Sequence, residues 1–143
     1  MLKKLGILVL GVGMSTLSIA ADMASRIQEW TTDEGARVLF IEAPEIPMVD
    51  FIISLDAGSF REGSNYGLAS MTANMMTLGT KTKDENQFSE ALENLGSSIS
   101  VSSGISNTSM QIRSLSDENV LNQTLLLWEE MVQEPRLDSE IFN

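Results

Sequence analysis

Residues Gly67 to Thr80 read GLASMTANMMTLGT, and this stretch decides the fold. The spacing predicts a helix from about Tyr66 to Leu78. Ser70, Ala73, Asn74 and Thr77 recur at i, i+3, i+4 and i+7 and form one small polar face, while Leu68, Met71, Met75 and Leu78 form an apolar one. The apolar face is expected to pack on a sheet. The polar face is expected either to line a cavity, with ordered water held by Ser70 and Asn74, or to be solvated helix surface.

Upstream, Arg37 to Ile41 reads as a strand entered through Asp33-Glu34-Gly35, and Pro44 and Pro47 break the chain after it. Met48 to Ala57 predicts a second strand with Val49, Phe51, Ile53 and Leu55 on one face, followed by a loop from Gly58 to Asn65. Downstream, Phe88, Ala91, Leu92 and Leu95 mark the buried stripe of a helix over Glu85 to Leu95, and Gly96 stops it. The Ser/Gly-rich segment Gly96 to Gly104 resembles a linker in composition, yet Ile99 and Val101 alternate with serines as in a half-buried strand. Strands are therefore expected near Ser98 to Ser103 and Thr108 to Ser114. A long helix then starts at Asp117, carries Leu121, Leu125, Trp128 and Val132 on one stripe, and ends before Pro135. The order β-β-α-α-β-β-α indicates an α+β fold, a largely antiparallel sheet with helices on one face.

The chain of 143 residues contains no histidine and no cysteine. The nitrogen and sulfur ligands that hold catalytic zinc are thus missing from every position, and carboxylates alone suit harder cations. The N-terminus begins Met1-Leu2-Lys3-Lys4, continues as an apolar run from Leu5 to Leu17 and ends Ser18-Ile19-Ala20. It reads as a signal peptide over residues 1–20, cleaved after Ala20, because the run falls short of the ~20 apolar residues of a membrane span. No cysteine follows it to take a bacterial lipid anchor, so no stable membrane anchor is expected after cleavage, and the address suits a Gram-negative periplasm. Cleavage leaves seven basic against twenty acidic residues, a net charge of −13. Such a chain is a poor partner for nucleic acid or anionic lipid and attracts cationic peptides, or the charge serves solubility. Trp30 and Trp128 read as core or interface aromatics.

The Gly67–Thr80 stretch resembles the active-site helix of the insulinase/pitrilysin family, whose form is G-L-A-H-x-x-E-H-M-x-x-x-G-T. Gly67, Leu68, Ala69, Met75, Gly79 and Thr80 fit it, whereas the two histidines fall on Ser70 and Asn74 and the glutamate on Ala73. The flanks add to the resemblance. Leu55-Asp56-Ala57-Gly58-Ser59 with Arg61-Glu62 is similar to the family's entry to its metal helix, Leu92-Glu93-Asn94-Leu95-Gly96 to its L-E-x-x-G helix end, and Pro135, Leu137 and Ile141 to its next block. On this basis residues 21–143 are identified as the front part of an insulinase-like N-terminal domain, incomplete at its C-terminal end.

The resemblance implies a zinc-dependent family, but this chain is expected to hold no cofactor at the motif. Ser70 and Asn74 offer neutral oxygens, and Ala73 cannot accept a proton. The implied role is a non-catalytic subunit, like the silent member of mitochondrial processing peptidase pairs, with a zinc-bearing homologous subunit as partner and a peptide as substrate. The alternatives are a zinc peptidase whose working site lies outside this chain, and a stand-alone peptide-binding module. In the last case the strand carrying Ile99, Val101 and Ser103 is the edge to which an extended peptide would add.

Overall fold

Every strand pair in the computed structural model, which describes residues 26–138, is antiparallel. The signal-peptide assignment to residues 1–20, and Ile141, lie outside the described residues. The chain forms two compact units, Met1–Glu45 and Ile46–Asn143.

The described part of the first unit is a hairpin of β1 (Ile27–Thr31) and β2 (Arg37–Ile41), with Ile27 opposite Ile41 and Thr31 opposite Arg37. Its turn is closed by the Thr32 N–H donating to the Ala36 carbonyl at 2.9 Å. Arg37 Nε donates to Glu29 Oε1 at 2.6 Å across the strands. β1 is an addition to the strands expected from sequence. Its five residues, IQEWT, show too little alternation to announce a strand, and pairing with β2 is what orders them. Trp30 is 47% exposed on this hairpin.

The second unit contains β3 (Met48–Leu55), a short 3₁₀ turn (Ser59–Arg61), α1 (Leu68–Met76), α2 (Glu85–Leu95), β4 (Ser98–Ser103), β5 (Thr108–Leu115) and α3 (Glu118–Gln133). Its sheet is antiparallel in the order β3-β5-β4. The α+β class and the helix positions thus follow the sequence reading, with the strands divided between two sheets. The register aligns Phe51 with Ile112 and Ile99, and Ile53 with Met110 and Val101. That row is the helix-facing side, where Ile112 and Met110 are buried. On the opposite side Asp50, Arg113 and Ser98 fall in one row and Ile52, Gln111 and Ser100 in the next.

α2 starts at Asp84, whose carboxylate accepts from the Gln87 N–H while the Gln87 side chain accepts from the Asp84 N–H; Gly96 ends it in left-handed geometry. Phe88 and Leu92 of α2 meet Leu127 and Met131 of α3 in the core, with Ile99 and Val101 packed beneath. Trp128 also packs against this cluster. Where the helices meet the sheet, Ser97 Oγ lies 2.7 Å and Ser114 Oγ 3.2 Å from Thr124 Oγ1, which donates to the Val120 carbonyl at 2.9 Å. Ser114 and Thr124 are fully buried, so these hydroxyls satisfy one another where water does not reach.

Candidate functional site

The segment that leads into α1 is strapped to the turn between β4 and β5. The Ser59 N–H donates to the Gly104 carbonyl at 3.1 Å and the Phe60 N–H to the Ile105 carbonyl at 2.8 Å. A side chain at Gly58 would put its Cβ 2.6 Å from the Ile105 oxygen, so only glycine permits this approach. Arg61 then turns back to pair with Asp56, and that hydrogen-bonded guanidinium holds the Asp56 carboxyl below the usual carboxylate range.

Glu62 anchors the helix itself. Gly67 has no side chain to cap α1, and Glu62 supplies the missing acceptor from five residues upstream: Oε2 accepts the Gly67 N–H at 2.9 Å and Oε1 the Ala69 N–H at 2.7 Å. A carboxylate at a helix N-terminus also meets the positive end of the helix dipole. Arg61-Glu62, read from sequence as one entry motif, therefore separates into two jobs.

The far end of α1 is held by residues distant in sequence. Gly79 adopts φ +111°, and a Cβ there would lie 2.5 Å from the Lys83 carbonyl oxygen. The Thr80 N–H donates to that same carbonyl at 2.8 Å, the Lys81 N–H to the Glu134 carbonyl at 3.0 Å, and the Arg136 N–H to the Gly79 carbonyl at 3.1 Å. Thr80 is only 1% exposed, and its hydroxyl donates to Glu130 Oε1 at 2.6 Å. The Thr82 hydroxyl donates to the same oxygen, while Lys83 Nζ reaches Glu130 Oε2 at 2.7 Å. Burial disfavours the charged form of Glu130, yet these three donors and the lysine charge outweigh it and hold its pKa down to about 2. Gly79 and Thr80, the closing pair of the motif, are thus structural residues that fasten α1 to the end of α3.

Between these anchors the helix is rotated relative to the sequence reading. Leu68 and Met71 are exposed at 52% and 48%, whereas Ala73 and Met75 are buried. Ala69, Ala73, Met75 and Met76 are the covered residues, and α1 lies against β4. The predicted apolar face therefore does not pack on the sheet as a unit.

Ser70 and Asn74 are exposed one helical turn apart, while Ala73 is 3% exposed on the buried side. The structure thus keeps the spacing of a two-ligand helix but not its donors. Hydroxyl and amide oxygens are poor zinc ligands, no imidazole or thiolate exists in the chain, and Ala73 has no basic atom. These residues do not fit zinc. Among the described residues no group of three or more histidine, cysteine or acidic side chains is arranged to hold a metal ion.

β4 lies at an edge of its sheet, paired only with β5 among the described residues. Ile99 and Val101 point into the helix-side core and Ser103 is half-buried, its hydroxyl 3.3 Å from that of Thr108. What this edge offers a ligand is therefore main-chain hydrogen bonding, with Ser98, Ser100 and Ser102 exposed on the other side. Among the described residues no helix is long and apolar enough to cross a membrane.

Comparison with known proteins agrees with this frame. The sequence model of the insulinase family, peptidase family M16, matches residues 37–143. No curated protein matches the chain. A crystal structure of a peptidase M16 inactive domain from Pseudomonas fluorescens is similar at 33% identity and a TM-score of 0.76, over 80% of this chain and 28% of that one. A protease from Helicobacter pylori has a similar fold, with a TM-score of 0.64 at 19% identity, over 81% of this chain and 28% of that one. The chain thus spans little more than a quarter of the length of either. The matched region covers most of the sequence and contains the whole anchored helix: the protein belongs to the insulinase family, peptidase family M16.

Proposed function

We propose that this protein is a non-catalytic subunit of a periplasmic insulinase-like peptidase, which pairs with a zinc-bearing homologous subunit and helps to enclose and hold the peptide substrate. One observation carries the reading. The motif helix is fastened at both ends, by Glu62 at its start and by Gly79 and Thr80 at its end, while Ser70, Ala73 and Asn74, where the resemblance puts the family's chemical residues, offer neither a good zinc ligand nor a base. The similar Pseudomonas domain, itself described as inactive, supports a family branch that keeps the fold without hydrolysis. Peptide would add along the edge of β4 that has no strand partner among the described residues, where backbone hydrogen bonds provide affinity without regard to sequence. The N-terminal sequence, read as a signal peptide over residues 1–20, would direct export, and the acidic composition favours cationic substrates.

Affinity purification of the protein from periplasm tests the pairing. A co-purifying subunit with intact H-x-x-E-H is expected, and a clean monomer under gentle conditions would count against the proposal. Amide exchange tests the edge: bound peptide should slow exchange in β4 and leave α3 unchanged.

A second reading has the protein as part of a zinc peptidase whose working site lies outside this chain, and the modest share of its relatives' length that the chain spans favours keeping it. Zinc analysis of the full-length protein separates the two, because bound zinc in stoichiometric amount is expected only on the second reading.

A further inference from the structure

Of the two edges of the β3-β5-β4 sheet, β3 is the apolar one. It has β5 on one side and, among the described residues, no strand on the other, so every second residue turns its main-chain N–H and C=O outward. Edge strands are normally protected by lysine, proline or a bulge. β3 reads MVDFIISL and pairs with β5 without a break from Met48 to Leu55. Its one charge, Asp50, is held on the outer face, where it accepts from Arg113 Nε at 2.7 Å and Nη2 at 2.9 Å. Ile52 is 71% exposed on that face, and Phe51 and Leu55 are exposed on the helix side.

The helix layer is open above the same strand. α3 packs over β5, with α1 and α2 on its β4 side. Successive helical residues are about 100° apart. Gln123, Leu126 and Glu130 face α2, so Leu121, Leu125, Trp128 and Val132 lie on the opposite flank, towards β3. An occupant must therefore supply a strand for the edge and an apolar flank above it. A second copy of the chain brings both.

We infer that two copies join through β3, antiparallel about a two-fold axis that passes through Ile52 perpendicular to the sheet. In that register Ile52 meets its own counterpart, Phe51 meets Ile53, Val49 meets Leu55, and Asp50 meets Ser54 of the second copy. Moving the axis to Phe51 would set Asp50 against Ile52, and moving it to Ile53 would set Asp50 against Asp56, where like charges repel. The result is a continuous sheet in the order β4-β5-β3-β3-β5-β4. Three strand spacings of ~4.8 Å put the two β5 strands, and the α3 helices over them, roughly 14 Å apart. Packed helices lie about 8–10 Å apart, so the gap above the seam is about one layer of side chains, which the two apolar flanks fill. The pairing joins like copies and rests on β3 alone, independent of the motif helix.

Sedimentation of the protein over about a hundredfold range of concentration is expected to show a monomer–dimer equilibrium. Ile52→Lys sets like charges opposite one another at the axis and removes the central apolar contact, and should weaken the dimer about tenfold or more. The chain has no cysteine, so Ile52→Cys should cross-link to its counterpart on mild oxidation. Opposed residues lie ~4.5–5.5 Å apart at Cα, a distance that a disulfide spans. Ser100→Cys, on the exposed outer face of β4, should not cross-link. Ile52 and Ser100 are exposed, and circular dichroism checks that each variant keeps the fold. A monomer at every concentration, a dimer that Ile52→Lys leaves unchanged, or equal cross-linking by Ser100→Cys would overturn the inference.

Discussion

Replacing Glu130 with glutamine removes one charge from a side chain that receives Lys83 Nζ at 2.7 Å, the Thr80 hydroxyl at 2.6 Å and the Thr82 hydroxyl. The Glu130 and Lys83 side chains are 21% and 31% exposed, so the pair is neither fully screened nor fully desolvated. Its pKa, held at about 2 against an ordinary 4.5, sets the sign of the effect. A depressed carboxylate contributes stability that is fully present above about pH 4.5 and is lost as pH falls towards 2. At about 1.4 kcal/mol per unit, and discounted for partial exposure, Glu130→Gln should cost roughly 1–3 kcal/mol at neutral pH. Near pH 2 wild type and variant should converge, because the wild-type carboxyl is then becoming neutral as well. Urea denaturation followed by circular dichroism at both pH values measures this. Equal midpoints at neutral pH, or the same loss at both, would refute the argument that a charged Glu130 fastens the end of α1 to α3.

Three further substitutions probe the same scaffold. Glu62→Ala leaves the Gly67 and Ala69 N–H groups without their acceptor and should cost about 1–2 kcal/mol, with faster amide exchange confined to the first turn of α1. Gly79→Ala forces a Cβ against the Lys83 carbonyl at φ +111°, and a thermal melt should show a loss of about 2 kcal/mol or more. Thr124→Val removes the hydroxyl shared by Ser97 and Ser114 and leaves buried Ser114 poorly satisfied, which should lower the urea midpoint by the equivalent of about 1–3 kcal/mol without changing the slope.

Elements with strict local patterns were legible in the sequence. β4 runs over Ser98–Ser103 because Ile99 and Val101 alternate with serines, and α2 runs over Glu85–Leu95 because its buried stripe is closed by Gly96. β1 was not legible, since IQEWT has no clear alternation and becomes a strand through its pairing with β2. The direction in which α1 faces was misread. Hydropathy pointed to Leu68, Met71, Met75 and Leu78, but of these Met75 is buried while Leu68 and Met71 are exposed, and Ala69 and Ala73 are covered in their stead. Ser70, Ala73 and Asn74 are set against the family's chemical positions by the resemblance of the motif alone. The anchors of the helix were not legible: Thr80 and Glu130 are 50 residues apart, and no spacing rule joins them. Glu62 left a weak trace as an acid shortly before a glycine that begins a helix, a pattern that fits a carboxylate cap.

Hydrolysis of a quenched fluorescent peptide tests the central claim most directly, with the protein alone and after mixing with a homologous subunit that bears intact H-x-x-E-H. The account predicts no turnover by this protein alone at any zinc concentration, and turnover by the mixture above that of the zinc-bearing subunit by itself. Zinc-dependent cleavage by the isolated chain, or a mixture no faster than the partner alone, would contradict it.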